Sequence, residues 1–288
     1  MQRLITIFLL VYGIICSPHA TAEDLHYQAF LENSTWETQS SPLSCTLSHS
    51  IELFGKAQFY QEAGSEPGFR FLTNQAPKSK GLVTVHSRPP QWSHDKEARE
   101  IGRFNYKPSE TPFTFKRVLS LRLMAELEKG MTPVFRFKDW GDGGDEVEAV
   151  LSNVRFRTAL GEFRTCMNDI IPYQYAKVRN TTVYFATDKF TLTSKAKRKL
   201  DAIAAFLKKD ATVKHAKVDG HADDRGAHSY NNTLSEQRAM AVQEYLLSKQ
   251  VPSDKIIVRY FGKRRPVQEN TNVNGRAINR RVNLTLIK

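Results

Sequence analysis

The sequence predicts an α+β chain of two domains. The first is mostly antiparallel β, a barrel or sandwich with one or two helices, and the second is an α/β sandwich. Three observations carry this expectation. Short apolar runs broken by Gly, Pro, Asn and Asp recur through the first half, whereas strand-period and helix-period segments alternate through the second. The charge is also unevenly spread. Of 42 Lys+Arg and 30 Asp+Glu in 288 residues, 23 basic and 10 acidic residues lie from Pro172 to Lys288, which leaves the preceding part almost neutral. With a leader at 1–22, the predicted domains are 23–171 and 172–288, in keeping with the usual size of a domain.

The leader is read from its chemistry. Met1 to Arg3 is a short basic region, Leu4 to Ile15 is apolar, and Ala20-Thr21-Ala22 has the small-x-small form of a signal-peptidase site, so the mature chain is expected to begin near Glu23. The apolar run falls short of the ~20 residues of a spanning helix, and no later stretch reaches that length. Cys16 follows Gly13-Ile14-Ile15, which lacks the Leu and small residues of a lipidation signal. Removal of the leader leaves Cys45 and Cys166 in an oxidising compartment, where an even count favours pairing. A Cys45–Cys166 disulfide is expected to close a loop of 166 − 45 = 121 residues, with a stabilisation of about 4–5 kcal/mol on chain-entropy grounds. The alternative is two buried free thiols.

Strands are expected at Ser44–Ile51, Ala57–Gln61, Phe69–Thr73, Leu82–His86, Pro133–Lys138 and Val147–Val154. A helix is expected over Phe115–Lys129, where Val118, Leu121, Leu123 and Leu127 recur at helical intervals before Gly130. A second is expected around Gly161–Ile170, carrying Cys166. Between Lys78 and Gly102, Ser87-Arg88-Pro89-Pro90-Gln91-Trp92 and the charges after it read as a long surface loop.

In the second domain Thr181–Thr187 is a strand with Val183 and Phe185 on one side, and Ala196, Leu200, Ile203 and Leu207 mark the buried face of a helix. Val213–Asp219 is the next strand. Thr233-Leu234-Ser235-Glu236 has capping-box form and is expected to open a helix running to about Lys249. Strands at Lys255–Phe261 and Val282–Ile287 complete a mixed sheet with two helices on one face.

The search for chemistry excludes more than it finds. Asp139–Asp145 lacks the alternating oxygen ligands of a calcium loop, since Gly141 occupies the third position, and reads as a Gly-rich turn. The histidines have no metal-ligand spacing, and no Ser, His and Asp set stands out as a triad, so neither a cofactor nor a catalytic site is expected. Excess positive charge attracts polyanions. Nucleic acid is not a partner in an exported chain, whereas wall stem peptides carry carboxylates. Lys195, Lys197, Arg198 and Lys199 read as the solvated face of a helix.

A spaced polar set remains: Gly220-His221-Ala222-Asp223, Asn231, Leu234-Ser235, Arg238-Ala239 and Asn279-Arg280-Arg281-Val282. With Val183-Tyr184-Phe185 and Gly262-Lys263-Arg264-Arg265-Pro266, this set resembles the OmpA-like peptidoglycan-binding domain from about Thr181 to Leu286. The resemblance implies that Asp223 and Arg238 bind diaminopimelate of a stem peptide, with Asn231, Leu234 and Arg280 around them. Diaminopimelate presents an ammonium and a carboxylate on one carbon. A carboxylate suits the first, and a planar guanidinium suits the second better than a lysine would. Ala222 stands where many members have Thr, which removes a hydroxyl contact. From spacing alone, Asp223 and Arg238 could equally bridge one another on the surface, worth ~0–1 kcal/mol. A structural role is expected for at least one of Arg280 and Arg281.

In the first domain Trp36-Glu37, Pro42-Leu43-Ser44-Cys45-Thr46-Leu47-Ser48-His49, Phe54-Gly55-Lys56-Ala57, Pro89-Pro90-Gln91-Trp92, Glu126-Leu127-Glu128-Lys129-Gly130, Asp139-Trp140 and Cys166 resemble the N-terminal half of the MotY family. The resemblance implies a periplasmic, non-enzymatic component of the flagellar motor. It implies a T ring on the flagellar basal body, assembled with a MotX-like protein, that recruits stator complexes of the PomA/PomB type. The first domain would dock to these partners while the second grips the wall. His49, Trp92 and Trp140 are read as core or turn packing. The rival readings are a general OmpA-like link between outer membrane and wall, an outer-membrane barrel, and a wall-acting enzyme.

Overall fold

The computed structural model describes residues 25–90, 93, 97–141 and 145–288. The expected leader, Trp92 and part of the Gly-rich turn lie outside the described residues. In chain order the first half runs β1 (Leu25–Tyr27), β2 (Glu37–Ser40), β3 (Ser44–Ile51), β4 (Gly55–Glu62), β5 (Gly68–Thr73), β6 (Gly81–Arg88), β7 (Arg99–Tyr106), β8 (Thr114–Phe115), α1 (Arg117–Glu128), β9 (Thr132–Lys138), β10 (Glu146–Val150) and α2 (Phe156–Asp169). Two five-stranded sheets form, in the orders β1-β10-β9-β6-β7 and β2-β3-β4-β5-β8. All pairings are antiparallel except β1 with β10.

Neither sheet closes on itself, so the sandwich holds and the barrel does not. The inner faces interdigitate through phenylalanines. Phe135 of β9 meets Phe69 and Phe71 of β5 at ring-centroid distances of 5.6 and 4.9 Å. Burial of such rings is the main stabilising term for this half. Cys45 of β3 and Cys166 of α2 are disulfide-bonded across a Cα separation of 5.9 Å, which fastens the helix to the second sheet.

Several expectations for this half are corrected. The strand expected at Leu82–His86 is longer, since β6 runs from Gly81 to Arg88, and the loop expected from Ser87 onward is followed by a strand that was not expected, β7, which begins at Arg99. In Arg99-Glu100-Ile101-Gly102-Arg103-Phe104 outward charges and a glycine blur the alternation, as is common at a sheet edge. The last strand stops at Val150 rather than Val154, because the Ser152 carbonyl accepts the Trp36 indole N–H (2.8 Å) and Arg155 takes a left-handed φ of 58°. Helix α2 then starts at Phe156, five residues before Gly161. In α1 the apolar spacing misplaces two residues, since Val118 and Leu121 are exposed while Leu123, Met124 and Leu127 are buried. His49 stacks on Trp36, and Trp140 packs on Phe54 and Phe137.

The second half runs α3 (Tyr175–Val178), β11 (Asn180–Tyr184), α4 (Ser194–Lys209), β12 (His215–Gly220), α5 (His228–Ser248), β13 (Ile256–Tyr260), α6 (Val273–Asn279) and β14 (Arg281–Ile287), with a 3-10 turn at Ser253–Lys255. The sheet order is β11-β14-β12-β13, and only β12 with β13 is parallel. Helices α4 and α5 bury Leu200, Ile203, Leu207, Ala239, Val242 and Leu246 against Val183, Ala216, Val218, Val282, Leu284 and Leu286. Thr193 caps α4 by accepting from the Ala196 N–H, and the lysine-rich stretch of α4 faces solvent.

The expected capping box is not formed. Helix α5 begins at His228, five residues before Thr233. Gly226, at φ 90°, makes the turn that a side chain would resist, and the Asn231 amide ties back to the Arg225 carbonyl (2.9 Å). Ser235 is therefore interior to the helix, where its hydroxyl donates to Asn232 O and accepts from Gly262 N.

The two interiors meet at consecutive residues. Ile170 belongs to the first core and Ile171 to the second. The Ile171 N–H donates to Pro42 O (2.9 Å), and its carbonyl accepts from Gly64 N (3.1 Å).

Candidate functional site

The polar set gathers where β12 ends, and a glycine makes this possible. A Cβ on Gly220 would stand 2.2 Å from the Ser235 carbonyl oxygen, so only glycine lets α5 lie this close to the strand. That approach brings Arg238 of α5 beside the His221–Asp223 segment. Asn231, Leu234, Arg238, Val242 and Leu246 follow one another along the buried face of the helix.

Arg238 is fully buried. Its guanidinium donates through Nη1 to His221 O (3.1 Å), through Nε to Lys189 O (3.0 Å) and through Nη2 to Ala186 O (3.3 Å), and it lies 5.5 Å from the centroid of the Phe185 ring. Burial pushes its pKa down to about 10, opposed by the nearby charge of Asp223. A guanidinium at that value stays charged at neutral pH, so the protein interior holds a cation bonded only to carbonyl oxygens.

Asp223 is 6% exposed. Its Oδ2 accepts from Arg280 Nη1 at 3.0 Å, and its Oδ1 accepts from the Arg225 backbone N–H at 3.2 Å. The Arg225 guanidinium stands 3.7 Å from the same carboxylate. Arg280 is itself nearly buried and donates from Nε to Phe185 O.

This arrangement differs from the surface bridge that spacing alone allowed. Asp223 and Arg238 lie at the same end of the sheet, and they do not pair with one another. The carboxylate's direct side-chain partner is Arg280, and Arg238 is covered by the carbonyls of the β11–α4 loop.

The other expected residues divide by role. Asn231 is 1% exposed, and its Nδ2 holds the carbonyls of Arg225 and Gly226 while its Oδ1 has no protein partner. Leu234 is buried one turn before Arg238 and adds apolar wall. Asn279 is scaffolding, since it pins the Val267–Gln268 backbone. Arg281 likewise reaches the carbonyls of Asn279 and Arg265, and burial lowers its pKa. His221 stacks on Phe261, and burial, helped by Arg281, pushes its pKa down to about 4.

Sequence reasoning missed four residues of the rim. Arg225 donates to the Thr187 hydroxyl (3.1 Å), and the Tyr230 hydroxyl donates to Asp188 Oδ1 (3.3 Å). Asp188 adopts a left-handed φ of 52°. The one hint was Arg225, two positions beyond Asp223. In all, three arginines and two aspartates converge here, so the cluster favours an added anion. Among the described residues no group of three or more His, Cys, Asp or Glu side chains is placed to hold a metal ion, and no helix is long and apolar enough to cross a membrane.

Comparison with known proteins gives two successive family matches, MotY N-terminal domain over residues 27–172 and OmpA family over residues 184–280. The chain is 29% identical over 263 residues to the sodium-type flagellar protein MotY of Vibrio parahaemolyticus, covering 90% of this chain and 89% of that protein. It is 39% identical over 104 residues to the peptidoglycan-associated lipoprotein of Pseudomonas aeruginosa, covering 36% of this chain and 61% of that one. Among solved structures, the peptidoglycan-associated lipoprotein from Burkholderia pseudomallei matches at 29% identity and a TM-score of 0.36, covering 37% of this chain and 89% of that chain.

Proposed function

Because the chain belongs to the MotY family, with an OmpA family segment behind its MotY N-terminal domain, we propose that it is a periplasmic component of the flagellar motor that grips peptidoglycan. In this reading residues 172–288 hold a diaminopimelate-bearing stem peptide, and residues 23–171 dock to the flagellar basal body and a MotX-like protein. The assembled T ring then recruits stator complexes of the PomA/PomB type. Peptidoglycan is the rigid covalent network against which a stator can resist torque. Many modest sites on one ring raise avidity by ~10²–10⁴ over a single site.

The observation that carries the wall-binding part is the Arg238 guanidinium, buried with only carbonyl partners while the neighbouring carboxylate is already paired to Arg280. A ligand carboxylate would give that cation the charge-assisted partner it lacks. The ligand ammonium would go to Asp223, with the unpartnered Asn231 Oδ1 as a further acceptor.

Co-sedimentation of the purified mature chain with sacculi tests the pocket. Wild type is expected to be retained, and an Asp223→Ala, Arg238→Ala variant to be released. Equal retention of the two would discard the pocket. For the motor part, a deletion strain is expected to lose motility and a periplasmic ring on its purified basal bodies. Normal rings and swimming would leave a general wall-linking protein.

A further inference from the structure

Both charges assigned to ligand recognition are shut away in this structure, so a ligand needs a way in. The cover is the segment Ala186–Phe190 between β11 and α4. Every residue in it is exposed, yet its inner carbonyls, those of Ala186 and Lys189, occupy the donors of Arg238. On its outer side two contacts tie it down: Arg225, in the turn before α5, to Thr187, and Tyr230, in the first turn of α5, to Asp188. The left-handed backbone at Asp188 is a conformation that a non-glycine residue holds only when its surroundings impose it.

Arg225 joins the cover to the ligand site. Its guanidinium lies 3.7 Å from the Asp223 carboxylate and donates to Thr187 on the cover. Its backbone is fixed independently, since its N–H donates to Asp223 Oδ1 and its carbonyl accepts from Asn231 Nδ2. The side chain itself is half-exposed, so it can swing away without disturbing that backbone.

We propose that Arg225 is a latch and a specificity-determining residue. It stands in for the ligand's ammonium at Asp223, and its displacement by that ammonium frees Thr187, lets Ala186–Phe190 lift, and uncovers Arg238 for the ligand's carboxylate. This rests on the pocket reading above. The two ends of the zwitterion are thereby read in sequence, because a ligand without the ammonium cannot release the cover that hides the second subsite. Such coupling rejects half-matched ligands through a conformational step rather than through extra contacts.

The test uses the full mature chain and two synthetic probes. One is a tripeptide ending in meso-diaminopimelate, and the other is the same peptide acetylated on the diaminopimelate side-chain amine. Wild type is expected to bind the first and to reject the second. In Arg225→Ala the association rate for the free-amine probe should rise roughly fivefold, as expected for losing an exposed ion pair, and discrimination against the acetylated probe should narrow by a similar factor. Arg225→Lys should restore much of the discrimination. Thr187→Val, which removes the other end of the latch without touching Asp223, should reproduce the faster association. Unchanged rates and discrimination in both Arg225→Ala and Thr187→Val would overturn the latch alone. Failure of wild type to bind the free-amine probe would overturn the pocket reading and the latch with it.

Discussion

Arg280 and Asp223, 57 residues apart in the chain, form an ion pair at 3.0 Å with only 10% and 9% of their side chains exposed. The pair closes the C-terminal sheet at its ligand end. Arg280 opens the approach to β14, Asp223 follows β12, and the two strands are adjacent. Charges this dry are costly to separate, because the survivor loses its nearest opposite charge in a medium that solvates it poorly.

Arg280→Met is therefore expected to lower stability by about 3–5 kcal/mol, with Asp223→Asn costing a comparable amount. The double variant should lose clearly less than the sum of the two. Urea denaturation of all four proteins measures the coupling, and simple additivity would show that the pair is not an energetic unit.

Two glycines should respond to the same substitution with opposite sign. Gly220→Ala places a methyl 2.2 Å from the Ser235 carbonyl, which forces α5 away from β12. A loss of about 1–3 kcal/mol is expected, together with reduced retention on sacculi. Gly161 lies within α2 with no atom within 4 Å of an added Cβ. Gly161→Ala should raise stability by about 0.5–1 kcal/mol, since alanine is the better helix former. Thermal melts of the two variants check both signs.

His221 gives a signed pH dependence. Its folded pKa is depressed from 6.5 to about 4, so its neutral form contributes stability above pH 6.5. That contribution is lost as pH falls from 6.5 toward 4, while the unfolded chain takes up a proton that the folded chain refuses. NMR titration should show the His221 imidazole neutral through pH 5, and His221→Gln should flatten the fall in urea midpoint between pH 7 and pH 4. An imidazole titrating near 6.5 would contradict the assignment.

Removing the disulfide tests the brace on the first domain. Cys45→Ser with Cys166→Ser should lower stability by about 4–5 kcal/mol, the entropy of freeing a loop of 121 residues. Denaturant midpoints of the variant, and of wild type with and without reductant, give the figure. Equal midpoints would mean that packing of α2 alone holds the first domain.

Much of the fold was legible because strand alternation and helical spacing register burial directly. Ser44–Ile51 coincides with β3, and the face read for α4 is the face that is buried. The failures have tertiary causes. Strand β7 carries an edge pattern that mimics a charged loop. Thr233-Leu234-Ser235-Glu236 has the letters of a helix start, but Gly226 and Asn231 had already committed the chain to a helix. At the candidate site, the motif resemblance singled out Asp223 and Arg238, which do lie at one end of the sheet. It could not foresee that Arg280 takes the carboxylate or that Ala186 and Lys189 cover the guanidinium, because hydrogen bonds across 49 to 57 residues leave no local trace. Arg225 escaped for a related reason, since its partner Thr187 lies 38 positions away.

The junction at Ile170 and Ile171 has a mechanical consequence. Tension applied to the C-terminal half arrives at a residue whose N–H and C=O are both engaged by the opposite half, at Pro42 and Gly64. The strain is thus shared between two separate backbone segments instead of unwinding α2 from its end. Cys166, five residues upstream and bonded to Cys45, is a covalent stop behind them. Under sustained pulling the halves should part only after these paired amides shear together, which makes the connection a stiff coupling and not a tether.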